Sequence, residues 1–419
     1  CLDGIDPERT ASILSDATDA VLAGALTVAT GLVIAQRDGV EAVSAGPDAS
    51  GCWQAARARH AIIAMGRLGG REIGYASDAD VLFVHQARDG AGEEDAAQEA
   101  EAVAKQVMGL LAAALPHPLE VDCDLRPEGR NGVMSRSLDA YREYYGRWSA
   151  LWERQALLRA RPCAGDRDLG RRFEELINPL RWAQEGLAPQ DLREIRRIKA
   201  RVEAERLPRG IDPARHLKLG PGGLSDVEWS AQVLQLAHAG RIPQLRTTST
   251  VAALQAAVRA GVLSADGGGE LVAAWILASR LRSAIVLGTG RASGPRSQVL
   301  PLQSREIRLV GRLIGLSAGR ERELEDLYRR SARHARAVAE RIVFTDAAAH
   351  GSTASAPSST VSTAQPHSQE SPPPRSAGSA RSSRARSRRD TGEAASKGAR
   401  RASRPRTTRR RPEGPYPWS

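Results

Sequence analysis

The chain has 419 residues, few aromatics (4%) and a formal net charge of +11, a length that suits two or three domains. The charge is uneven: residues 346–419 carry 14 Lys/Arg against 5 Asp/Glu, which leaves a net of only +2 on the first 345 residues. That balance excludes a general nucleic-acid surface on the body of the protein, and no apolar run approaches the roughly 18 residues that a membrane span needs.

Ile13, Leu14, Ala17, Val21, Ala25 and Val28 recur at helical spacing and predict a helix over residues 8–36. After a loop with Gly46, Pro47 and Gly51, the run Ala61-Ile62-Ile63-Ala64-Met65 predicts a buried strand. It empties into Gly66-Arg67-Leu68-Gly69-Gly70, too glycine-rich to continue a strand. Val81-Leu82-Phe83-Val84 predicts a second strand, directly after Asp78-Ala79-Asp80. Residues 93–114 predict a helix with Val103, Val107, Leu110 and Leu111 on one face. Its acidic first turn suits the helix dipole. Leu119 to Leu125 predicts a third strand.

From Leu138 the pattern is helical almost throughout, with helices expected near 138–146, 148–161, 166–177, 189–206, 224–239, 247–260, 269–287, 304–315 and 320–344. Turns such as Leu207-Pro208-Arg209-Gly210 and Gly220-Pro221-Gly222-Gly223 separate them. Past residue 345 the chain is Ser, Ala, Pro, Thr and Arg. Such a segment buries too little apolar surface to offset the entropy of ordering, so a disordered tail is expected. An arm that touches acidic surfaces or nucleic acid is the functional alternative there. Cys1, Cys52, Cys123 and Cys163 fall at no metal-knuckle or redox-pair spacing and read as incidental thiols of a reducing cytosol. No signal peptide is expected, and Cys1 in place of Met reads as the start of a fragment.

Carboxylates at i and i+2 at the head of a strand point to one face, with Cα atoms about 6.5 Å apart. Both can then reach a pair of divalent cations about 3.5–4 Å apart. Asp78 and Asp80 have this spacing, and Asp122 and Asp124 repeat it on the third strand. A carboxylate from that strand would complete the ligand set, and hard oxygen ligands favour Mg²⁺ over zinc. Gly69 and Gly70 would let backbone N–H groups approach a triphosphate. Ser77 could donate to the same phosphates, and Arg126 and Arg130 could neutralise leaving-group charge. Asp226 and Glu228 open a helix and first read as capping groups. The basic run from Arg193 to Glu203 reads as a solvated face, with Lys199 and Arg201 as its candidates for facing phosphate. His85 and His216 read as structural.

The order apolar-Gly-Gly, Asp-x-Asp, then a later Asp resembles the DNA polymerase β-like nucleotidyltransferase superfamily. Residues 64–80, from Ala64-Met65-Gly66-Arg67-Leu68-Gly69-Gly70 to Ser77-Asp78-Ala79-Asp80, resemble the glutamine synthetase adenylyltransferase family. Val121-Asp122-Cys123-Asp124-Leu125-Arg126-Pro127-Glu128-Gly129 is similar to the same family's third-carboxylate segment. Residues 152–161, opening Trp152-Glu153-Arg154-Gln155, and residues 217–229, around Gly220-Pro221-Gly222-Gly223, are similar to its later motifs. The resemblance runs over residues 10–345. Gly74-Tyr75 and Gln155-Ala156-Leu157 look like the C-terminal, adenylylating half of a family that usually holds two related halves. The family's frequent Lys is Arg67 here.

The resemblance implies an α+β fold: a polymerase β-like nucleotidyltransferase domain with a small mixed sheet over residues 1–164, an all-helical domain over 165–345, and the tail. It implies transfer of AMP from ATP to a tyrosine of glutamine synthetase in the cytoplasm. Asp78, Asp80 and Asp122 would hold Mg²⁺ and carry the chemistry, while Gly69, Gly70, Ser77 and Arg126 would hold the nucleotide. It also makes Asp226 or Glu228 candidates for facing the site, and the nitrogen-regulatory PII protein a candidate partner. A deadenylylating, phosphate-using enzyme and a non-catalytic regulatory fragment are the rival expectations.

Overall fold

A computed structural model describes residues 6–39, 54–113, 118–294 and 296–344. The tail, the loop with Gly46 and Gly51, Cys1 and Cys52 lie outside the described residues. Within them the fold is α+β, a small mixed sheet flanked by helices and followed by a helical bundle.

Helix α1 (Pro7–Asp38) begins where the Asp6 side chain accepts from the Glu8 N–H, with proline in the first turn, and stops at Gly39, whose φ is 67°. The sheet is built on β1 (Ala58–Ala64), paired antiparallel with β2 (Ala79–Ala87) on one side and with β5 (Arg161–Gly165) on the other. The far edge of β2 takes two short parallel partners: β3 (Val121–Asp122) at its head and β4 (Ser135–Ser137) farther along. Because side chains alternate along a strand, neighbouring residues feed opposite layers. Ile62 and Phe83 pack with Leu22, Leu26, Val103 and Val107, that is, with α1 and with α3 (Glu93–Ala112). Ile63 and Leu82 pack instead with Tyr141, Leu157 and Phe173. These come from α4 (Leu138–Trp148), α5 (Leu151–Leu157) and α6 (Arg167–Arg181).

The bundle comprises α7 (Pro189–Arg206), α8 (Leu224–His238), α9 (Thr250–Arg259), α10 (Ala265–Thr289), α11 (Ser304–Leu313) and α12 (Leu324–Phe344). Its core holds Leu234, Leu271, Trp275, Leu281, Ile285 and Val338. Burying each such side chain is worth about 1.5–3 kcal/mol.

Two local expectations fail. The third strand is two residues long, because Asp122 Oδ1 accepts from the Asp124 N–H at 2.6 Å and turns the chain. The helix expected over 148–161 ends at Leu157, and β5 follows; Pro162 and Gly165 hid that edge strand from the pattern. Gly66–Gly69 ends the strand, as expected, and forms one helical turn, α2. The membrane criterion also needs correcting. By length and composition alone, α1 and α10 are long and apolar enough to cross a bilayer. Each buries one side in a protein core, as core helices that pass the same test do.

Candidate active site

The parallel register that pairs β2 with β3 makes Asp80 the direct partner of Asp122. Asp78 stands two residues before Asp80, and the three side chains bring one carboxylate oxygen each within 4.8 Å of one another. Among the described residues none of the three is in an ion pair. Their mutual repulsion is only partly offset. Burial first, then the Asp78 charge, pushes the Asp80 carboxyl up to about 7, against the opposing pull of Lys218, with Asp122 and Glu228 adding to the rise. Burial also raises Asp122, while the Asp124 N–H works against the rise. Three converging oxygen donors that repel one another fit a hard divalent cation, and offer nothing to a thiolate-seeking one.

The segment before Asp78 is bent tightly. Arg71 and Ala76 have φ values of 58° and 51°, a region that costs non-glycine residues of order 1–3 kcal/mol each. This bend presents Asp78 and Ser77, whose buried Oγ has no hydrogen-bond partner. Gly66, with φ 50°, lies so close to Asp80 that an added Cβ would run into its carboxylate. Gly69 and Gly70 do something else. A Cβ on Gly69 would strike the Arg159 carbonyl, and one on Gly70 the Arg159 guanidinium. The glycine that makes room for the carboxylates is the one the sequence reading passed over; its signal was its position directly after the strand.

Arg126 departs from the leaving-group role expected of it. It is buried, and its guanidinium donates to the Gly132 carbonyl at 3.1 Å and the Cys123 carbonyl at 2.9 Å. That side chain is occupied in holding the 123–132 loop. Asp124 Oδ2 accepts from exposed Arg130 at 2.6 Å, and its Oδ1 lies 3.8 Å from the Arg126 guanidinium.

The bundle contributes as well. Glu228 on α8 lies 3.6 Å from Arg67 Nε, and Glu228 Oε1, Arg67 Nε and Arg67 Nη1 are buried without hydrogen-bond partners. Lys218 and Glu228 both act on Asp80. Burial draws Arg206 down to about 10, against the favourable charges of Glu205 and Asp122. Asp226 differs: it accepts from the Gly222 N–H at 2.6 Å and pairs with Lys199 at 2.5 Å and Arg336 at 3.1 Å. Lys199 is thus committed to a buried ion pair rather than to phosphate. Lys218 and Arg206 were missed as charges acting on the aspartates; for Lys218 the adjacent Gly220-Pro221-Gly222-Gly223 turn was the available signal.

A second polar group joins sheet and bundle. Arg159 Nη1 donates to Glu72 at 2.6 Å, and the Thr250 hydroxyl, at the start of α9, donates to Glu72 at 2.8 Å. The Thr250 backbone N–H donates to the other Glu72 oxygen, where the helix dipole also favours a carboxylate.

Residues 5–176 match the family model described as glutamate-ammonia ligase adenylyltransferase. Over these residues the chain belongs to that family. Residues 195–342 match a model described as GlnD PII-uridylyltransferase. The chain is 52% identical over 287 residues to a bifunctional glutamine synthetase adenylyltransferase/adenylyl-removing enzyme of Streptomyces coelicolor, covering 68% of this chain and 28% of the relative. A protein of that name from Mycobacterium avium is 47% identical over 283 residues, covering 67% of this chain and 28% of its own length. One from Cutibacterium acnes is 47% identical over 284 residues, 68% of this chain and 28% of the relative. The chain therefore spans a little over a quarter of the curated relatives it matches.

Proposed function

We propose that this chain is a cytoplasmic nucleotidyltransferase that moves AMP from ATP to a tyrosine hydroxyl of glutamine synthetase, with release of diphosphate. The observation that carries the reading is the direct pairing of Asp80 with Asp122 beside Asp78. The names of the relatives supply the protein substrate.

In the proposed reaction the tyrosine oxygen bonds to the α-phosphorus as the bond to the bridging oxygen of diphosphate breaks. Asp78, Asp80 and Asp122 would hold Mg²⁺, which when bound would neutralise phosphate charge and lower the pKa of the attacking oxygen. Asp122, the more accessible of the two strand-paired aspartates, takes the tyrosine proton. Ser77 Oγ, buried without a hydrogen-bond partner, is a donor suited to a phosphate oxygen. Lys218 offsets negative charge beside Asp80. The PII protein is proposed as a regulatory partner on the family resemblance alone.

Because the relatives' names also include adenylyl removal, phosphorolysis of AMP-bearing synthetase is the second reading. Incubation with α-labelled ATP and unmodified synthetase, beside inorganic phosphate and AMP-bearing synthetase, separates them. Label in the synthetase supports transfer; release of ADP alone would sink it.

A further inference from the structure

A small, partly open cleft lies between the first turns of α1, the segment around Ile73 and one face of α10. Neither Asp78, Asp80 nor Asp122 lines it. Trp275 and Ser279 stand one turn apart on α10 and so share a face, and Arg67 and Arg280 complete the polar wall.

What sets this cleft apart is its unmet donors. Trp275 is 1% exposed, yet its Nε1–H has no hydrogen-bond partner. The same holds for Ser279 Oγ, Arg280 Nε, and Arg67 Nε and Nη1. Leaving a buried donor unsatisfied costs about 1–3 kcal/mol, and here several surround one space. Indole and guanidinium groups only donate, so the matching occupant brings acceptors. The one acidic lining residue, Glu72, has both oxygens engaged by Arg159 and Thr250. Water would satisfy the donors singly but brings no charge to the arginines. Leu14 and Ile73 on the opposite wall suit a short apolar stem.

We propose that this cleft binds a small organic oxyanion, its carboxylate or phosphate head received by Trp275 Nε1, Ser279 Oγ and Arg67 and its stem lying against Leu14 and Ile73. The site is separate from the carboxylates but not isolated from them. Arg67 also faces Glu228, one of the charges acting on Asp80, so an anion on Arg67 competes for the partner of a group beside the catalytic centre.

The test follows the indole N–H resonance of Trp275 in the full chain, assigned by its loss in Trp275→Phe. Succinate and inorganic phosphate are titrated separately at fixed ionic strength. A saturable shift at millimolar concentration, weakened at least fivefold in Ser279→Ala and retained in Asp78→Asn, supports the site; the anion that binds identifies the head group. No saturable shift with either anion overturns the proposal and leaves a hydrated cleft. A shift indifferent to Ser279→Ala, or abolished by Asp78→Asn, overturns it too, the latter by assigning the anion to the carboxylate centre.

Discussion

The guanidinium of Arg159 and the carboxylate of Glu72 lie 2.6 Å apart, with 6% and 4% of their side chains exposed. Arg159 also fills the space that Gly69 and Gly70 leave open. Removing one partner of a buried ion pair strands the other, at about 3–5 kcal/mol. Arg159→Ala is therefore expected to lower the urea unfolding free energy by that amount. Thr250→Val loses less, about 1–2 kcal/mol, and Thr250→Ser restores most of it. Equal effects of Thr250→Val and Thr250→Ser would contradict this.

Asp78→Asn and Asp122→Asn should each reduce AMP transfer on the order of 10³-fold while leaving the urea midpoint in metal-free buffer unchanged or slightly higher, since each removes repulsion. Saturating Mg²⁺ should stabilise the unsubstituted protein, by about 2.7 kcal/mol at 100 times the dissociation constant. Thermal melts of the two variants should lack that gain.

Gly66→Ala separates the glycines. Its side chain would meet the Asp80 carboxylate, so transfer should fall at least tenfold with the Mg²⁺ stabilisation weakened. Arg126→Ala should behave the opposite way. Losing buried bonds to two carbonyls destabilises by about 2–4 kcal/mol, while KM for ATP stays within about twofold at a temperature where the variant is folded. A large rise in KM alone would return Arg126 to the nucleotide.

Three histidines set an acid limit. Burial pushes His60 down to about 3, and His85 and His216 down to about 4. His85 Nδ1 sits 2.9 Å from Ser135 Oγ, and His216 Nδ1 accepts from the Leu219 N–H at 3.1 Å. Well above pH 6.5 these side chains are neutral whether the chain is folded or not, and contribute no slope. As pH falls below 6.5 the unfolded chain takes up protons that the folded chain refuses, so stability drops until pH passes the folded values near 4 and 3. Between pH 7 and 5 the loss is on the order of 2 kcal/mol per histidine. Urea titrations of His85→Gln should show a shallower fall over that interval.

The sequence carried the architecture where hydrophobic period and length were strong. The helix over Pro189–Arg206 and the strand run through Val81–Val84 are plain in it. It also carried Asp78, Asp80 and Asp122, because a strand head imposes i, i+2 spacing. It did not carry features created by chain reversal or by contact between distant segments. Asp122 ends its own strand by accepting from Asp124, which no alternation pattern encodes. Nor does the string around Gly69 reveal that Arg159, ninety positions later, occupies its space. Arg126 looked available beside a catalytic strand, yet a buried guanidinium with carbonyls in reach answers to them first.

Glu72 shared between Arg159 and Thr250 has one more consequence, for inheritance. The carboxylate belongs to the segment between α2 and β2, but two of its three hydrogen bonds are supplied from 178 positions away, at the first residue of α9. A sheet recombined with a foreign bundle would keep all three clustered aspartates and still lose the anchor on the segment that leads to them. Gene exchange within the family should therefore leave the stretch from Glu72 to Thr250 as a single block, with crossovers tolerated outside it.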